Sequence, residues 1–246
     1  MTQEQLLARL LYRDALMLII DKPAGLAVHP GPKGGPNLED LLDGLRFGLP
    51  RRPELAHRLD RDTSGCLVLG RHRRALRRLG RLFAAGRVDK TYWAVVEGAP
   101  PQAQGRIDLP LGRRNRERGW WMKVDPDGLP STTLYRVLGR AGHLTWLELR
   151  PLTGRTHQLR VHLAALGCPV RGDPIYGPRD PADHDRVRLH LHARAIAVPL
   201  YANRPPITAT APPPAQMLDA LAACGLDPPT IAAPSAVDLV EEQRVR

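Results

Sequence analysis

His57-Arg58-Leu59-Asp60-Arg61-Asp62-Thr63-Ser64-Gly65 runs directly into the apolar stretch Cys66-Leu67-Val68-Leu69-Gly70. That junction decides how the chain is read. A short apolar run without helical period, opened by a Thr-Ser-Gly turn, predicts a buried strand. The charged stretch before it then falls on a loop at the strand's edge, where folded scaffolds display functional side chains. Within the loop Asp60 sits between the guanidinium groups of Arg58 and Arg61. Charge alone does not separate this arrangement from a solvated loop whose local pairs contribute about 0–1 kcal/mol, so the neighbouring segments decide it.

Downstream, residues 71–85 carry Ala75, Leu76, Leu79, Leu82 and Phe83 at helical spacing, with Arg73, Arg74, Arg77, Arg78 and Arg81 on the remaining faces. Gly86 ends that helix. Residues 90–98 are rich in aromatic and β-branched side chains and predict a strand, with Lys90, Tyr92 and Ala94 on one face and Thr91, Trp93 and Val95 on the other. Residues 99–143 are polar and irregular, with strands expected at 106–111 and 132–138. The run 113–118 with Trp120 and Trp121 mixes cations and aromatics, which suits phosphate contact and base stacking, and equally a loop that folds its tryptophans onto the core. Upstream, Thr2 and Gln5 form a capping pattern for a helix over 2–11. A strand is expected over 15–20, stopped by Asp21-Lys22-Pro23-Ala24-Gly25, and a short one over 26–29. Leu38, Leu41, Leu42 and Leu45 then predict a helix capped by Asn37.

The second informative segment follows a strand at 144–149. It is Arg150-Pro151-Leu152-Thr153-Gly154-Arg155-Thr156-His157-Gln158-Leu159-Arg160-Val161-His162-Leu163-Ala164-Ala165-Leu166-Gly167. A turn leads into a helix that starts near Thr156 and stops at Gly167. Leu159, Leu163 and Leu166 form its buried stripe, and Arg160 lies one position off it, at the edge of a core where an arginine needs a carboxylate partner. His157 and His162 are five residues apart and so lie on different faces, which excludes a shared zinc ion. A turn at 173–177, a closing pair of strands at 189–193 and 195–198, a helix at 215–224 and a disordered tail over 226–246 complete the expectation.

Across its 246 residues the chain has 36 Lys and Arg against 25 Asp and Glu, a net charge of +11. The excess recurs at 51–52, 71–87, 113–118 and 150–171 rather than in one tail, which predicts a basic surface built by the fold and a polyanionic partner. A GC-rich genome also enriches Arg, Ala, Gly and Pro, and that halves the weight of the charge argument. Three isolated cysteines, with no CxxC pair, fit a reducing compartment and neither a disulfide framework nor a zinc site. The sequence shows no signal peptide and no run long enough to span a bilayer, so a cytoplasmic protein without membrane contact, and a monomer, is expected.

Taken together, these segments resemble the RluA-type pseudouridine synthase family, in its order, over about residues 15–215. The resemblance rests on Lys22-Pro23-Ala24-Gly25-Leu26-Ala27-Val28-His29, His57-Arg58-Leu59-Asp60 with Thr63-Ser64-Gly65, Lys90-Thr91-Tyr92, and the segment Thr153 through His162. Gly172-Asp173-Pro174-Ile175-Tyr176-Gly177 and Leu191-His192-Ala193 also carry it. It implies an α+β catalytic domain over residues 15–215, built on a mixed, mostly antiparallel sheet with flanking helices and a central cleft, between an extension over 1–14 and a helix with tail over 216–246. It implies isomerisation of uridine to pseudouridine in a tRNA or ribosomal RNA stem-loop, with no cofactor and no metal. Asp60 is then the essential carboxylate, Tyr92 the active-site tyrosine and Arg160 the arginine that pairs with the aspartate. Arg58 helps displace the target base, and Lys90 and Arg155 join it as expected RNA contacts. Only some fourteen residues precede the first catalytic strand, which resembles the branch lacking an S4 module.

The chemistry fits these residue types. The target base must leave its stack, at a cost of a few kcal/mol that backbone contacts and an inserted side chain offset. Asp60 must be ionised, to act either as nucleophile or as base, and the residues leave that choice open. Tyr92 is a wall for the uracil ring and a candidate base for the final proton removal from carbon. Two other classes compete: a catalytically silent RNA-binding protein, against which the presence of Asp60, Tyr92 and Arg160 counts, and a hydrolase using Asp60 with Asp62. Two carboxylates two residues apart on one loop are a weak basis for the latter.

Overall fold

The structure, a computed structural model, describes residues 1–31, 34–114, 121–178 and 187–227. The expected tail, and all of the basic-aromatic run except Arg113, Arg114 and Trp121, lie outside the described residues. In chain order the elements are α1 (Gln3–Leu7), β1 (Leu10–Arg13), β2 (Met17–Lys22), a 3-10 helix (Glu39–Leu45), β3 (Glu54–Leu55), β4 (Ser64–Gly70), α2 (Arg73–Ala84), β5 (Asp89–Glu97) and β6 (Gln104–Asp108). There follow β7 (Leu111–Arg113), β8 (Met122–Val124), β9 (Thr132–Ala141), β10 (Leu144–Pro151), α3 (Gln158–Ala165), β11 (Leu191–Val198), β12 (Ile207–Thr210) and α4 (Ala215–Ala223). No helix among the described residues is long and apolar enough to cross a membrane. The chain divides into two compact units, one holding residues 1–88 and 193–212, the other residues 89–192 and 213–228.

In the first unit β2 pairs antiparallel with β1 on one side and β4 on the other, and β12 pairs antiparallel with β11. Every residue of β4 is buried, as an uninterrupted apolar run requires when both faces of a strand are covered. Its Cys66 and Val68 pack with Met17, Ile19, Leu79, Val88, Ile196 and Val198. Of the helical stripe Ala75 and Leu79 are buried, while Leu82 and Phe83 pack against the same core. His72 caps α2, its ring Nδ1 accepting from the Ala75 N–H at 3.2 Å, a cap the sequence reading did not assign.

In the second unit β10 pairs antiparallel with β5 and β9, and β9 with β6. Ala94 and Val96 of β5 enter a core with Leu147, Leu149, Leu159, Leu163 and Leu191, and half-buried Tyr92 packs against it. Trp93, on the opposite face of β5, meets Trp146 edge-on at 4.8 Å between centroids. The alternation read from the sequence thus holds.

Tertiary pairing overrode local pattern in four places. The leading helix ends at Leu7, because Leu10–Arg13 pairs with β2 as an edge strand instead of continuing the helix. Its Thr2–Gln5 capping box is present as expected. Residues 26–29 form no strand and contribute a single bridge, Ala27 to Asn37. The helix after Asn37 is of the 3-10 type, and the Asn37 side chain accepts from the Glu39 N–H at 3.0 Å. The two expected closing strands are one strand, β11, with which β12 pairs. Arg194 broke the apolar pattern in the sequence, but its guanidinium donates to the Ala211 carbonyl, so the strand continues through it.

Gly65 opens β4 with φ +107°, and a Cβ there would lie 2.2 Å from the Ala193 carbonyl oxygen. Both the left-handed backbone and the close approach demand glycine. Gly65→Ala is therefore expected to destabilise the protein by about 3 kcal/mol or more, read as a lowered urea midpoint, whereas an unchanged midpoint would show that the strand accommodates the methyl group.

Candidate active site

In the first unit the Asp60 loop is held by backbone contacts on both sides of the carboxylate. The Thr63 N–H donates to the Asp60 carbonyl at 3.2 Å, and the Gly25 N–H to the Arg61 carbonyl at 2.9 Å. Arg61 returns a bond from Nε to the Gly25 carbonyl at 3.2 Å. Asp60 and Asp62 are half-buried, Arg58 and Arg61 exposed, and Leu59 is buried as the loop's anchor. Asp62 lies beside Arg61, with Oδ1 4.0 Å from Nε. His57 packs inward instead, stacked on Phe83 and accepting from the Val68 N–H at 3.0 Å.

Lys22 fixes this loop from below, a role that sequence reading missed. It is fully buried, and its Nζ donates to the carbonyls of Pro23 (2.7 Å), Leu26 (2.9 Å) and Arg61 (2.9 Å). One ammonium thereby ties the end of β2 and the Pro-Ala-Gly turn to the Asp60 loop, using all three of its donors. Burial lowers its pKa from 10.5 to about 8, a fall opposed by the carboxylates of Asp62, Asp60 and Asp21. Next to it Asp21 is raised to about 6 by burial, against the pull of Arg9 and Lys22. The signal in the sequence was the lysine that opens the Lys22-Pro23-Ala24-Gly25 stretch, at the end of the apolar β2.

The protonation of Lys22 carries a testable pH dependence. Its folded pKa lies below the unfolded value, so between about pH 8 and 10.5 the unfolded chain binds more protons, and stability rises with pH across that window. Lys22→Met is expected to lose this rise and about 2–4 kcal/mol, because the Pro23 and Leu26 carbonyls lose their donor. Urea midpoints of both proteins through the window test it, since the cysteines titrate alike in both and cancel in the difference. Parallel profiles would refute it.

In the second unit Tyr92 lies on β5 and pairs with Leu149 of β10. Arg160 is buried in the first turns of α3, its Nε and Nη2 each 2.7 Å from a different oxygen of Asp173. The side chain of Asp173 is fully buried, and its Oδ1 also accepts from the N–H groups of Ile175 (2.9 Å) and Tyr176 (3.1 Å). The Arg160 guanidinium carbon lies 5.1 Å from the Tyr176 ring centroid. The Tyr176 hydroxyl accepts from the Met122 N–H at 2.9 Å and lies 2.8 Å from Nδ1 of His157. His157 precedes α3 at φ +52°. The resemblance pairs Arg160 with Asp60; the contact described within its own unit is to Asp173, in the 173–177 turn, to which sequence reading gave no role.

Gln158 organises the approach to α3. Its Oε1 accepts from the Thr153 hydroxyl (2.7 Å) and the Arg155 N–H (3.0 Å), and its Nε2 donates to the Thr132 carbonyl (2.9 Å) and the Thr133 hydroxyl (3.1 Å). All of this buried amide's hydrogen-bonding directions serve the turn. His162 is bound separately, to Thr133 and the Leu109 carbonyl. Of the three expected RNA contacts, Arg58 and Arg155 are exposed. Lys90 is half-buried, donates to the Thr153 carbonyl at 3.3 Å and has its pKa lowered by burial.

The motif-bearing residues therefore fall into two groups, the loop around Asp60 in one unit and the strand and helix bearing Tyr92 and Arg160 in the other. The model of the RNA pseudouridylate synthase family matches residues 16–165, more than half of the chain and all three of these positions. The chain belongs to this family of isomerases, and its mixed, mostly antiparallel sheet is that of the family's solved members.

Among relatives, a Zymomonas mobilis protein named as an uncharacterized RNA pseudouridine synthase is 45% identical over 213 residues, 86% of this chain and 96% of its own length. The ribosomal large subunit pseudouridine synthase D of Xanthomonas campestris is 40% identical, over 83% of this chain and 65% of its own. Among solved structures, human RNA pseudouridylate synthase domain containing 4 superposes with a TM-score of 0.79 at 27% identity, covering 92% of this chain and 96% of that one.

Proposed function

We propose that this chain converts uridine to pseudouridine in ribosomal or transfer RNA in the cytoplasm, with large-subunit ribosomal RNA favoured by the names of its relatives, and that Asp60 is the essential carboxylate. The observation that carries the assignment is the Asp60 loop: a half-buried carboxylate on a loop clamped through its backbone by Lys22, Gly25 and Thr63. Those anchors hold the loop in one place, as a reacting group requires.

The reaction breaks the bond from the sugar to a ring nitrogen and forms one from the sugar to a ring carbon. One proton leaves that carbon and one arrives at the nitrogen, so atoms and electrons balance within the nucleoside. Asp60 acts on the sugar or the base as nucleophile, or on the sugar as base. Tyr92 packs against the uracil and accepts the proton leaving the ring carbon. Arg160, its guanidinium held by Asp173, serves the reaction as a fixed positive charge. Exposed Arg58 occupies the space of the extruded base, and Lys90 and Arg155 contact RNA.

Mapping pseudouridine in ribosomal and transfer RNA from cells with and without this chain identifies the substrate, and purified protein with the same RNA tests the reaction. A carbon-linked nucleoside without free uracil is expected. Released uracil would instead favour hydrolysis, and RNA binding without any product would favour a silent binding protein.

A further inference from the structure

The stretch 71–87 contains seven arginines and no carboxylate. Five of them, Arg73, Arg74, Arg77, Arg78 and Arg81, lie on α2, and all five are exposed. At about 100° per residue they occupy an arc of about 140°, centred nearly opposite the stripe of Ala75, Leu79, Leu82 and Phe83 that faces the core. Arg74, Arg77 and Arg81 lie at the middle of the arc. No carboxylate among the described residues forms an ion pair with any of the five, although Arg46, Arg106 and Arg136, elsewhere on the surface, each have one.

This pattern is unfavourable for the helix by itself. Arg73 and Arg77, Arg74 and Arg78, and Arg77 and Arg81 are like-charged i,i+4 neighbours, and Arg73 and Arg74 place positive charge in the first turn, against the helix dipole. Nearby, exposed Arg204 lies over the Tyr201 ring, 5.4 Å from its centroid, and the Tyr201 hydroxyl donates to Asp14 at 2.8 Å. Asp14 is itself engaged by the Tyr12 hydroxyl and by the Leu16 and Met17 N–H groups.

We propose that the outer face of α2, centred on Arg74, Arg77 and Arg81, docks the phosphate backbone of double-stranded RNA, as a binding surface additional to the Asp60 site. The inference builds on the reading of the chain as an RNA-modifying enzyme. A row of guanidinium groups that no carboxylate among the described residues pairs, carried on a rigid helix, complements a line of phosphates, and each phosphate contact releases counterions, so the surface supplies affinity without reading sequence. It lets the enzyme hold structured RNA while one nucleotide is extruded.

The test uses the full chain, a short RNA duplex, a single strand of the same length and vesicles of anionic phospholipid. Replacing Arg74, Arg77 and Arg81 together by Gln is expected to weaken duplex binding at least about tenfold and to lower the salt slope of log K by roughly 2–3. The corresponding Lys variant is expected to retain the slope. Arg46, Arg106 and Arg136 changed together to Gln, an equal loss of charge from already paired arginines, is expected to leave it nearly unchanged. Melting temperatures of the α2 Gln variant are expected to match or exceed the parent's, because repulsion is removed.

An unchanged slope in the α2 Gln variant, an equal loss in the paired-arginine control, or a loss confined to single strands or vesicles would overturn the proposal. The two readings fail separately. Absence of product from the parent enzyme would count against the isomerase assignment while the binding comparison still decides α2; normal product with unaltered duplex binding in the variant would count against α2 alone.

Discussion

Asp60→Asn is expected to abolish pseudouridine formation, a loss of roughly four orders of magnitude or more in turnover, the scale seen when a reacting group is removed. The structure makes the variant interpretable. Much of what fixes the loop is bonded to its backbone: the Asp60 and Arg61 carbonyls accept from Thr63, Gly25 and Lys22, and buried Leu59 anchors it from within. Asparagine has nearly the shape of aspartate, so the variant is expected to keep the parent's melting temperature and RNA affinity. Asp62→Asn is the paired control. It lies two residues away, half-buried, beside Arg61 and within the field of the same Lys22, so general charge effects are shared, and it is expected to retain most activity. A dead Asp62 variant beside a working Asp60 variant would reverse the assignment.

Arg160→Met is the second large effect, and here stability and catalysis must be separated. Removing the guanidinium leaves the fully buried Asp173 carboxylate, among the described residues, with the Ile175 and Tyr176 N–H groups. Breaking a buried ion pair from one side costs about 3–5 kcal/mol. Lost activity in that variant therefore does not by itself show that Arg160 serves the reaction.

The double variant Arg160→Met with Asp173→Asn removes both charges and keeps the Oδ1 acceptor for the turn. It is expected to regain most of the lost stability and none of the activity. Recovery of activity along with stability would show that Arg160 is structural. Arg160→Lys keeps a charge but not the two-point grip on Asp173, and it is expected to fall between the two in melting temperature.

What the sequence by itself determined is what local physics determines. An apolar run without helical period, opened by Thr-Ser-Gly, predicts a buried strand, and every residue of β4 is buried. The α2 stripe, the alternation through Tyr92 and the Thr2–Gln5 capping box depend on spacing within a few residues, and each survives in the structure. The motif order identified the family without a structure. The sequence placed Arg160 at the edge of a core, and it is buried because α3 is covered on all sides, from Gln158 through Leu163.

Only the tertiary structure decided the long-range partners. Nothing near Leu10–Arg13 distinguishes the end of a helix from an edge strand until β2 is beside it. Lys22 finds the Arg61 carbonyl 39 positions away, and no spacing rule spans that distance. Arg160 announced its need for a carboxylate, but the choice of Asp173 depends on where the 173–177 turn returns to α3. A buried charge must be satisfied by whatever the fold brings to it, so the sequence shows the demand and the packing names the partner.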